Sequence, residues 1–157
     1  MADKTSSTMT IDAPKSVIMA VIADFPAYPQ WASGVRAADV LQTDADGRPA
    51  HVRFTLDAGV VKDKYVLGYR WLGDDEVRWD LVERGSMVAD MSGAYLLAAD
   101  PGLPGGSTKV TYELAVGLGV PMPGIMKRRA EKTIIDTALK GLRNRAKQVA
   151  GESGASS

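Results

Sequence analysis

The segment "IDAPKSVIMAVIADFPAYPQW", residues 11–31, contains the end of a strand, a short helix and a turn that two prolines interrupt. Residues 6–11 alternate between polar and apolar side chains, which predicts a β-strand. Asp12 is a candidate N-cap, and Pro14 suits the first turn of a helix. Apolar residues then recur at helical spacing at Val17, Ile18, Val21 and Ile22. The prolines that follow allow only a turn or a second short helix.

Six further segments alternate between apolar and polar residues and are separated by short turn signals. They cover residues 35–43, 51–58, 63–71, 77–83, 86–100 and 109–116. Each segment has one bulky apolar face and one mixed face, which is typical of a sheet that buries one side and hydrates the other. Together with the first strand they predict a seven-stranded antiparallel sheet.

Residues 123–149 have the apolar spacing of a long helix, which must cover the apolar face of the sheet. A helical projection places Ile134, Ile135, Ala138, Leu142 and Val149 on one arc. It places Arg129, Asp136, Lys140, Arg143 and Lys147 on the opposite arc. No aromatic residue is interleaved with these basic residues, so we predict a solvated face and no nucleic-acid partner. Glu131 falls within the apolar arc, where a carboxyl group is rare unless it is paired or hydrated.

The composition favours a single folded domain, because the chain has 157 residues, 45% of them apolar, and a net charge of zero. We assign residues 1–150 to the domain and residues 151–157 to a disordered tail. The chain has no cysteine and one histidine, His51, so a thiolate or His-rich metal site is not expected, and neither is a cofactor. Neither an apolar run long enough to span a membrane nor a signal-peptide core is present, which predicts a cytoplasmic protein without integral membrane association.

The glycine-rich stretch "GLGVPMPG", residues 117–124, is a weak candidate for a phosphate loop. Met122 occupies the position of the third glycine in G-x-G-x-x-G, and Ile125 and Met126 replace the Lys and Ser/Thr of a P-loop. We therefore interpret this stretch as a hinge that leads into the long helix.

Residues 11–31, the late segment "GAYLLAADPGLPGGSTKVTYEL" (residues 93–114) and the long terminal helix resemble the START-like helix-grip (SRPBCC) superfamily. Within it, the chain is most similar to the bacterial polyketide cyclase/dehydrase and coenzyme-Q-binding START-type group. The resemblance implies an α+β helix-grip fold, in which a curved seven-stranded antiparallel sheet wraps around the C-terminal helix and two short helices follow the first strand. It also implies a deep pocket for a hydrophobic small molecule, and it supplies no shared catalytic residue to assign.

The strand faces predicted to point inward contribute the large side chains of this pocket. They are Phe54, Tyr65, Tyr69, Trp71, Trp79, Met91, Tyr95 and Tyr112. Several tyrosine hydroxyls on one face need hydrogen-bond partners, which a mostly apolar cavity with a few polar groups would provide; a solid core is the alternative. We predict that Trp31, Met126, Glu131 and Ile134 complete the lining. Glu131 is either a residue of the pocket mouth that reaches water or the polar contact for a ligand.

Three functions remain open from the sequence. The first, which the sequence favours, is non-catalytic binding of a hydrophobic lipid, quinone or polyketide-like molecule. The second is a polyketide aromatase/cyclase or dehydratase that acts in the same cavity by positioning a reactive chain. The third is a protein-interaction module that uses methionines around the pocket mouth.

Overall fold

The computed structural model describes residues 4–32, 34–57, 62–99, 106–119 and 123–155. Its strands are β1 (Thr5–Ile11), β2 (Val35–Thr43), β3 (Pro49–Asp57), β4 (Lys62–Leu72), β5 (Glu76–Glu83), β6 (Val88–Ala99) and β7 (Thr108–Leu118). Its helices are α1 (Lys15–Ala23), α2 (Tyr28–Trp31) and α3 (Gly124–Ala155), with a 3-10 turn at Phe25–Ala27. The strands form one antiparallel sheet in the order β1-β7-β6-β5-β4-β3-β2. The predicted helix-grip fold is confirmed.

Strand β5 illustrates why these segments pair as a sheet with one buried side. Val77 and Trp79 are buried, whereas Arg78 and Asp80 between and beside them are at least partly exposed. Because successive side chains of a strand point to opposite faces, this alternation fixes which face meets the helices. The hairpin between β2 and β3 closes where the sequence predicted a turn. There, the carboxylate of Asp44 accepts hydrogen bonds from the N–H groups of Asp46 (2.9 Å) and Arg48 (3.0 Å).

The start of α1 differs from the sequence prediction. Pro14, rather than Asp12, occupies the N-cap position, and no side chain caps this helix. The carboxylate of Asp12 accepts a hydrogen bond from the hydroxyl of Ser107 at 3.3 Å. Asp12 therefore links the end of β1 to the start of β7 and does not cap the helix.

Helix α3 contacts β1, β7, α1 and α2 through a face that the hydrophobic pattern identified only in part. The buried residues of this face are Glu131, Ile135, Leu139, Leu142 and Ala146. The prediction that Ile134 packs on the sheet was wrong, because 46% of Ile134 is exposed. The helix is turned so that Glu131 and Leu139 face inward, which moves Ile134 to the flank.

Two sequence predictions concern the ends of α3. Residues 120–122 of the predicted hinge lie outside the described residues, so that the hinge stays a prediction. At its other end, α3 continues to Ala155 and thus into the segment we assigned to a tail. The division into a domain and a tail at residue 150 stays a prediction.

Asp63 is a buried carboxylate that holds the turn between β5 and β6 against the start of β4. It accepts hydrogen bonds from the N–H groups of Ser86 (2.8 Å), Met87 (3.0 Å) and Val88 (2.7 Å) and from the Ser86 hydroxyl (3.0 Å). Burial by itself would raise the pKa of Asp63, but the hydrogen bonds from Val88, Ser86, Met87 and Lys64 outweigh it and lower the pKa to about 2. The charged form therefore stabilises the fold.

Replacing Asp63 with asparagine should lower the free energy of unfolding by about 2 kcal/mol at neutral pH, because an amide cannot accept from all these donors. The pKa of Asp63 is lower in the folded state than in the unfolded state, so its stabilisation is complete above pH 4 and is lost as the pH falls towards 2. Urea denaturation at several pH values should show the difference between wild type and Asp63→Asn shrinking over this range. A difference that stays constant down to the lowest pH would contradict the assignment.

Candidate functional site

A continuous aromatic cluster lies between the concave face of the sheet and the helices. On the sheet, Tyr95 and Tyr112 are in edge-to-face contact (ring centroids 4.5 Å apart), and Trp79 contacts both rings at 5.5 and 5.6 Å. Tyr69 joins Trp79 at 5.7 Å and meets Phe25 at 4.9 Å. The cluster thus connects the sheet to the segment between α1 and α2.

Phe25 and Tyr28 are members of this cluster that the sequence analysis missed. Phe25 is fully buried, and its ring lies 4.8 Å from that of Tyr28, which in turn lies 4.7 Å from Trp31. Both residues belong to a stretch interpreted only as a proline-containing turn. Two aromatic side chains three residues apart in a short helical segment were the available signal, because they fall on one side of a helical turn.

Four tyrosine hydroxyls of the cluster are the most informative polar groups of the concave face. Within the described residues, the hydroxyls of Tyr65, Tyr69, Tyr95 and Tyr112 form no hydrogen bond, although water can still reach them, unlike Trp31 Nε1. The Tyr28 hydroxyl differs, because it donates to the Ile22 carbonyl at 2.6 Å. The four hydroxyls are therefore available to water or to a molecule that enters the cluster.

The same four hydroxyls stay protonated over the whole neutral range. Burial, and then the repulsion expected from neighbouring tyrosinates, raises the pKa of Tyr69 and of Tyr95 well above the usual value. Burial and the negative charge of Asp63 raise the pKa of Tyr65 to about 12, and burial also raises the pKa of Tyr112. They are therefore neutral hydrogen-bond donors that can also accept.

The two tryptophans at the edges of the cluster use their N–H groups differently. Trp31 Nε1 is buried and has no acceptor within the described part of the chain. Trp71 Nε1 donates to the Pro49 carbonyl at 2.7 Å, and the guanidinium of Arg48 lies 5.3 Å from the Trp71 ring. Trp31 is thus a second type of unused donor, whereas the Trp71 N–H already has a partner.

Gly93 lies directly opposite Trp79 in the β5–β6 pair, and the indole ring covers it. A Cβ atom at position 93 would collide with the indole of Trp79 and with the Glu113 carbonyl. A glycine among the large inward-facing residues of the strands would be expected to leave a gap in the pocket wall. The structure instead fills the space above Gly93 with Trp79, so a larger residue there would displace the indole.

Glu131 is 2% exposed, which contradicts the interpretation that it reaches water at a pocket mouth. Its Oε1 accepts from the Thr5 hydroxyl at 2.7 Å, and its Oε2 accepts from the Val116 N–H at 2.8 Å. The described pairing of β1 with β7 ends at Thr5 and Leu114, and Val116 lies two residues further along β7. The Glu131 carboxylate therefore accepts a hydrogen bond at a position where the described part of β1 offers no partner. A direct contact between Glu131 and a ligand stays a prediction.

The remaining predicted site residues occupy different environments. Phe54 stacks on Tyr65 at 5.8 Å, and Met91 is half-buried against the core. Met126 and Ile134, by contrast, are 57% and 46% exposed on α3, so neither is enclosed between helix and sheet as predicted. The predicted arc included Ile134 on one flank, whereas the buried face of α3 includes Leu139 on the other flank.

Residues 11–143 match the family model described as "Polyketide cyclase / dehydrase and lipid transport". The chain belongs to this family. Among solved structures, a START superfamily protein from Mycobacterium smegmatis shares 22% identity over 93% of this chain and 98% of its own, with a TM-score of 0.84. The Zhui aromatase/cyclase from Streptomyces sp. R1128 shares 14% identity over 94% and 95%, with a TM-score of 0.73. No curated protein sequence matches the chain significantly.

As a member of the polyketide cyclase/dehydrase and lipid transport family, the chain offers tyrosine hydroxyls rather than ionised groups at the centre of its aromatic cluster. Among the described residues, no three His, Cys, Asp or Glu side chains are grouped so that they could hold a metal ion. None of the described helices is both long and apolar enough to cross a bilayer. The described part of the aromatic cluster offers a ligand apolar contact and neutral hydrogen-bond donors.

Proposed function

We propose that the protein binds a hydrophobic small molecule of the lipid, quinone or polyketide-like class in a cavity between the concave face of the sheet and α3, in the cytoplasm. The observation that carries this proposal is the group of four tyrosine hydroxyls that form no hydrogen bond within the described residues, together with the buried, unpaired Trp31 N–H. Membership of the family supports it. Aromatic walls provide apolar contact, and the hydroxyls provide orientation.

The preferred ligand carries carbonyl or hydroxyl oxygens on an apolar frame. The buried Trp31 N–H costs desolvation energy until an acceptor meets it, and a ligand oxygen can replace water at the tyrosine hydroxyls, so an oxygen-bearing ligand gains more than a pure hydrocarbon of the same shape. The raised pKa values of Tyr69 and Tyr95 keep both groups protonated, so that they donate to such oxygens at every physiological pH.

A quinone and a hydrocarbon of matched shape test this proposal directly. We expect 1,4-naphthoquinone to bind saturably and quench tryptophan fluorescence, with 1,4-dimethylnaphthalene as the matched hydrocarbon. Tyr69→Phe combined with Tyr112→Phe should weaken quinone binding by about ten-fold while leaving hydrocarbon binding unchanged. Native mass spectrometry of the purified protein should also detect a co-purifying apolar molecule.

Tyr28→Phe is the matched control, because the Tyr28 hydroxyl already donates to Ile22 and is not available to a ligand. This variant should keep the wild-type affinity for the quinone. Absence of saturable binding for both probes, or equal losses in the control and the double variant, would refute the proposal.

A second candidate function is a cyclase or dehydratase that acts on a polyketide-like chain. The clustered hydroxyls favour it, because several donors that hold carbonyl oxygens can fold a flexible chain into one reactive geometry. Product formation from a short poly-β-keto thioester, lost in the Tyr69→Phe and Tyr112→Phe double variant, would distinguish the enzyme from a binding protein.

A further inference from the structure

The first two turns of α3 expose apolar side chains to an unusual degree. Ile125 is 73% exposed, the highest value among the large apolar side chains of the described residues, and Met126 is 57% exposed. Met126, Ala130 and Ile134 follow one another at a spacing of four residues, so they form a stripe along one side of the helix. Residues 123–130 are all exposed except the half-buried Lys127, so this part of α3 protrudes from the body of the fold.

Basic side chains lie on this protrusion and elsewhere at the same end of the fold. Lys127, Arg128 and Arg129 lie on the same two turns of the helix. The antiparallel order of the strands brings the end of β3, the start of β4 and the turn after β5 to the end of the sheet at which α3 begins. A surface groove at that end is lined by Arg36, Lys62, Lys64 and Arg84.

One carboxylate of the groove neutralises Arg36, and the other is occupied by hydrogen-bond donors, so neither is paired with the other three cations. Asp57 pairs with Arg36 at 3.1 Å, and Asp63 is enclosed by the donors of the β5–β6 turn. Lys62, Lys64 and Arg84 have no ion-pair partner within the part of the chain that the structure describes. Among the described residues at this end, the exposed cations Lys62, Lys64, Arg84 and Arg129 outnumber the exposed acids Glu83 and Asp90.

The turns at the opposite end of the sheet are rich in acidic residues, but three of these already have cationic partners, since Asp74, Asp75 and Glu76 pair with Arg48, Lys15 and Arg78. The turns between β2 and β3 and between β4 and β5 contain Asp44, Asp46, Asp74, Asp75 and Glu76. The cations without ion pairs at the end where α3 begins are therefore the groups that would attract a negatively charged surface.

We propose that the end of the fold at which α3 begins docks onto an anionic phospholipid bilayer. Ile125 and Met126 enter the headgroup region, and the basic residues around them contact lipid phosphates. A bilayer suits these features better than an acidic protein. The apolar residues sit on a protruding turn rather than in a groove, and the cations are spread over separate elements that only a broad, flat surface can reach together.

Vesicle co-sedimentation tests this docking without any cavity ligand. We expect binding to phosphatidylcholine vesicles that contain about 30% phosphatidylglycerol at low salt, and little binding to pure phosphatidylcholine. Because surface charges are screened within about 3 Å at 1 M salt, high salt should release the protein.

Two variants separate the apolar and the electrostatic contributions. Lys127→Gln with Arg129→Gln should weaken vesicle binding by about 30-fold, and Ile125→Ser with Met126→Ser by at least about ten-fold. The matched controls are Leu72→Ser, which removes a side chain 63% exposed at the other end of the sheet, and Lys140→Gln with Lys147→Gln on later turns of α3. Both controls should bind vesicles like the wild type.

The result that overturns the proposal is equal binding to neutral and anionic vesicles, no binding to either, or equal losses in the controls. Binding to soluble polyglutamate with no binding to vesicles would assign the surface to an acidic protein instead. The naphthoquinone assay on the same variants keeps this result separate from the proposed ligand binding, which should be unchanged in all of them.

Discussion

Replacing Leu142 with aspartate should prevent the protein from folding. Leu142 is completely buried on the face of α3 that meets the other elements, so the substitution removes a core side chain and places an unpaired charge there. The loss of packing alone costs about 2–5 kcal/mol, and the buried carboxylate adds several more. The sum reaches the total stability of a typical domain, about 5–15 kcal/mol. Far-UV circular dichroism with thermal denaturation should show no cooperative transition.

Ile134→Asp is the matched control for this experiment, because it introduces the same residue into the same helix. Ile134 is 46% exposed, so the new carboxylate stays in water, and the free energy of unfolding should change by less than about 1 kcal/mol. A cooperative transition near the wild-type temperature for Leu142→Asp, or unfolding caused by Ile134→Asp, would contradict the observed orientation of α3.

The contrast between Leu142 and Ile134 shows what a hydrophobic pattern can predict about a helix. The pattern correctly predicted a long helix and placed Ile135 and Leu142 on its apolar arc. It failed at Leu139, which was left out although it is buried, and at Ile134, which was included although it is exposed. The rotation of the helix depends on tertiary contacts, above all the hydrogen bonds of Glu131 to Thr5 and Val116. A scale that counts only apolar residues gives such a contact no weight.

The strands were easier to predict, because one alternation of side chains fixes both the element and its buried face. Every predicted strand matches an observed one to within two residues at each end. The sequence could not show that Trp79 covers Gly93, because their proximity depends on the register between β5 and β6. The close approach of α3 to α2 could not be predicted from the sequence either. Gly141 packs against the Trp31 carbonyl so closely that a Cβ atom would collide with it.

For the candidate site, the sequence identified the aromatic residues of the strands but not which of their polar groups have hydrogen-bond partners. Phe54, Tyr65, Tyr69, Trp79, Tyr95 and Tyr112 are all buried on the concave side. Which hydroxyls lack partners could not be predicted, because the answer depends on distant backbone groups. Tyr28 shows this, since its hydroxyl is satisfied by a carbonyl from the preceding helix, six residues earlier. A donor can be recognised as unpaired only when the hydrogen-bond partners of the other polar groups in the folded structure are known.

Replacing Glu131 with alanine should lower the free energy of unfolding by about 3 kcal/mol. The side chain joins α3 to the two strands at the edge of the sheet, because its oxygens accept from the Thr5 hydroxyl and from the Val116 N–H. In Glu131→Ala, the Val116 N–H loses the carboxylate that accepts from it, and a buried donor without an acceptor costs about 1–3 kcal/mol. The lost methylene packing adds to this cost.

Glu131→Gln separates the hydrogen bonds of this side chain from its charge. The amide oxygen can still accept from Val116, and the amide nitrogen can donate to the hydroxyl of Thr5. The amide also avoids the cost of burying a charge, so the free energy of unfolding should change by no more than about 1 kcal/mol. Chemical denaturation of the two variants and the wild type provides the measurement. Equal stability of all three would show that the carboxylate does not hold α3 to the sheet.

The same glutamine variant decides whether Glu131 contacts a ligand. Both carboxylate oxygens already accept from the protein, so the geometry favours a role in holding the helix. Naphthoquinone affinity should then be the same in Glu131→Gln as in the wild type, whereas Tyr69→Phe with Tyr112→Phe weakens it. If Glu131→Gln instead weakens the quinone and leaves dimethylnaphthalene unchanged, Glu131 is itself a polar contact for the ligand. In that case the aromatic cluster extends along α3 to the edge strand β1, where Thr5 and Glu131 meet.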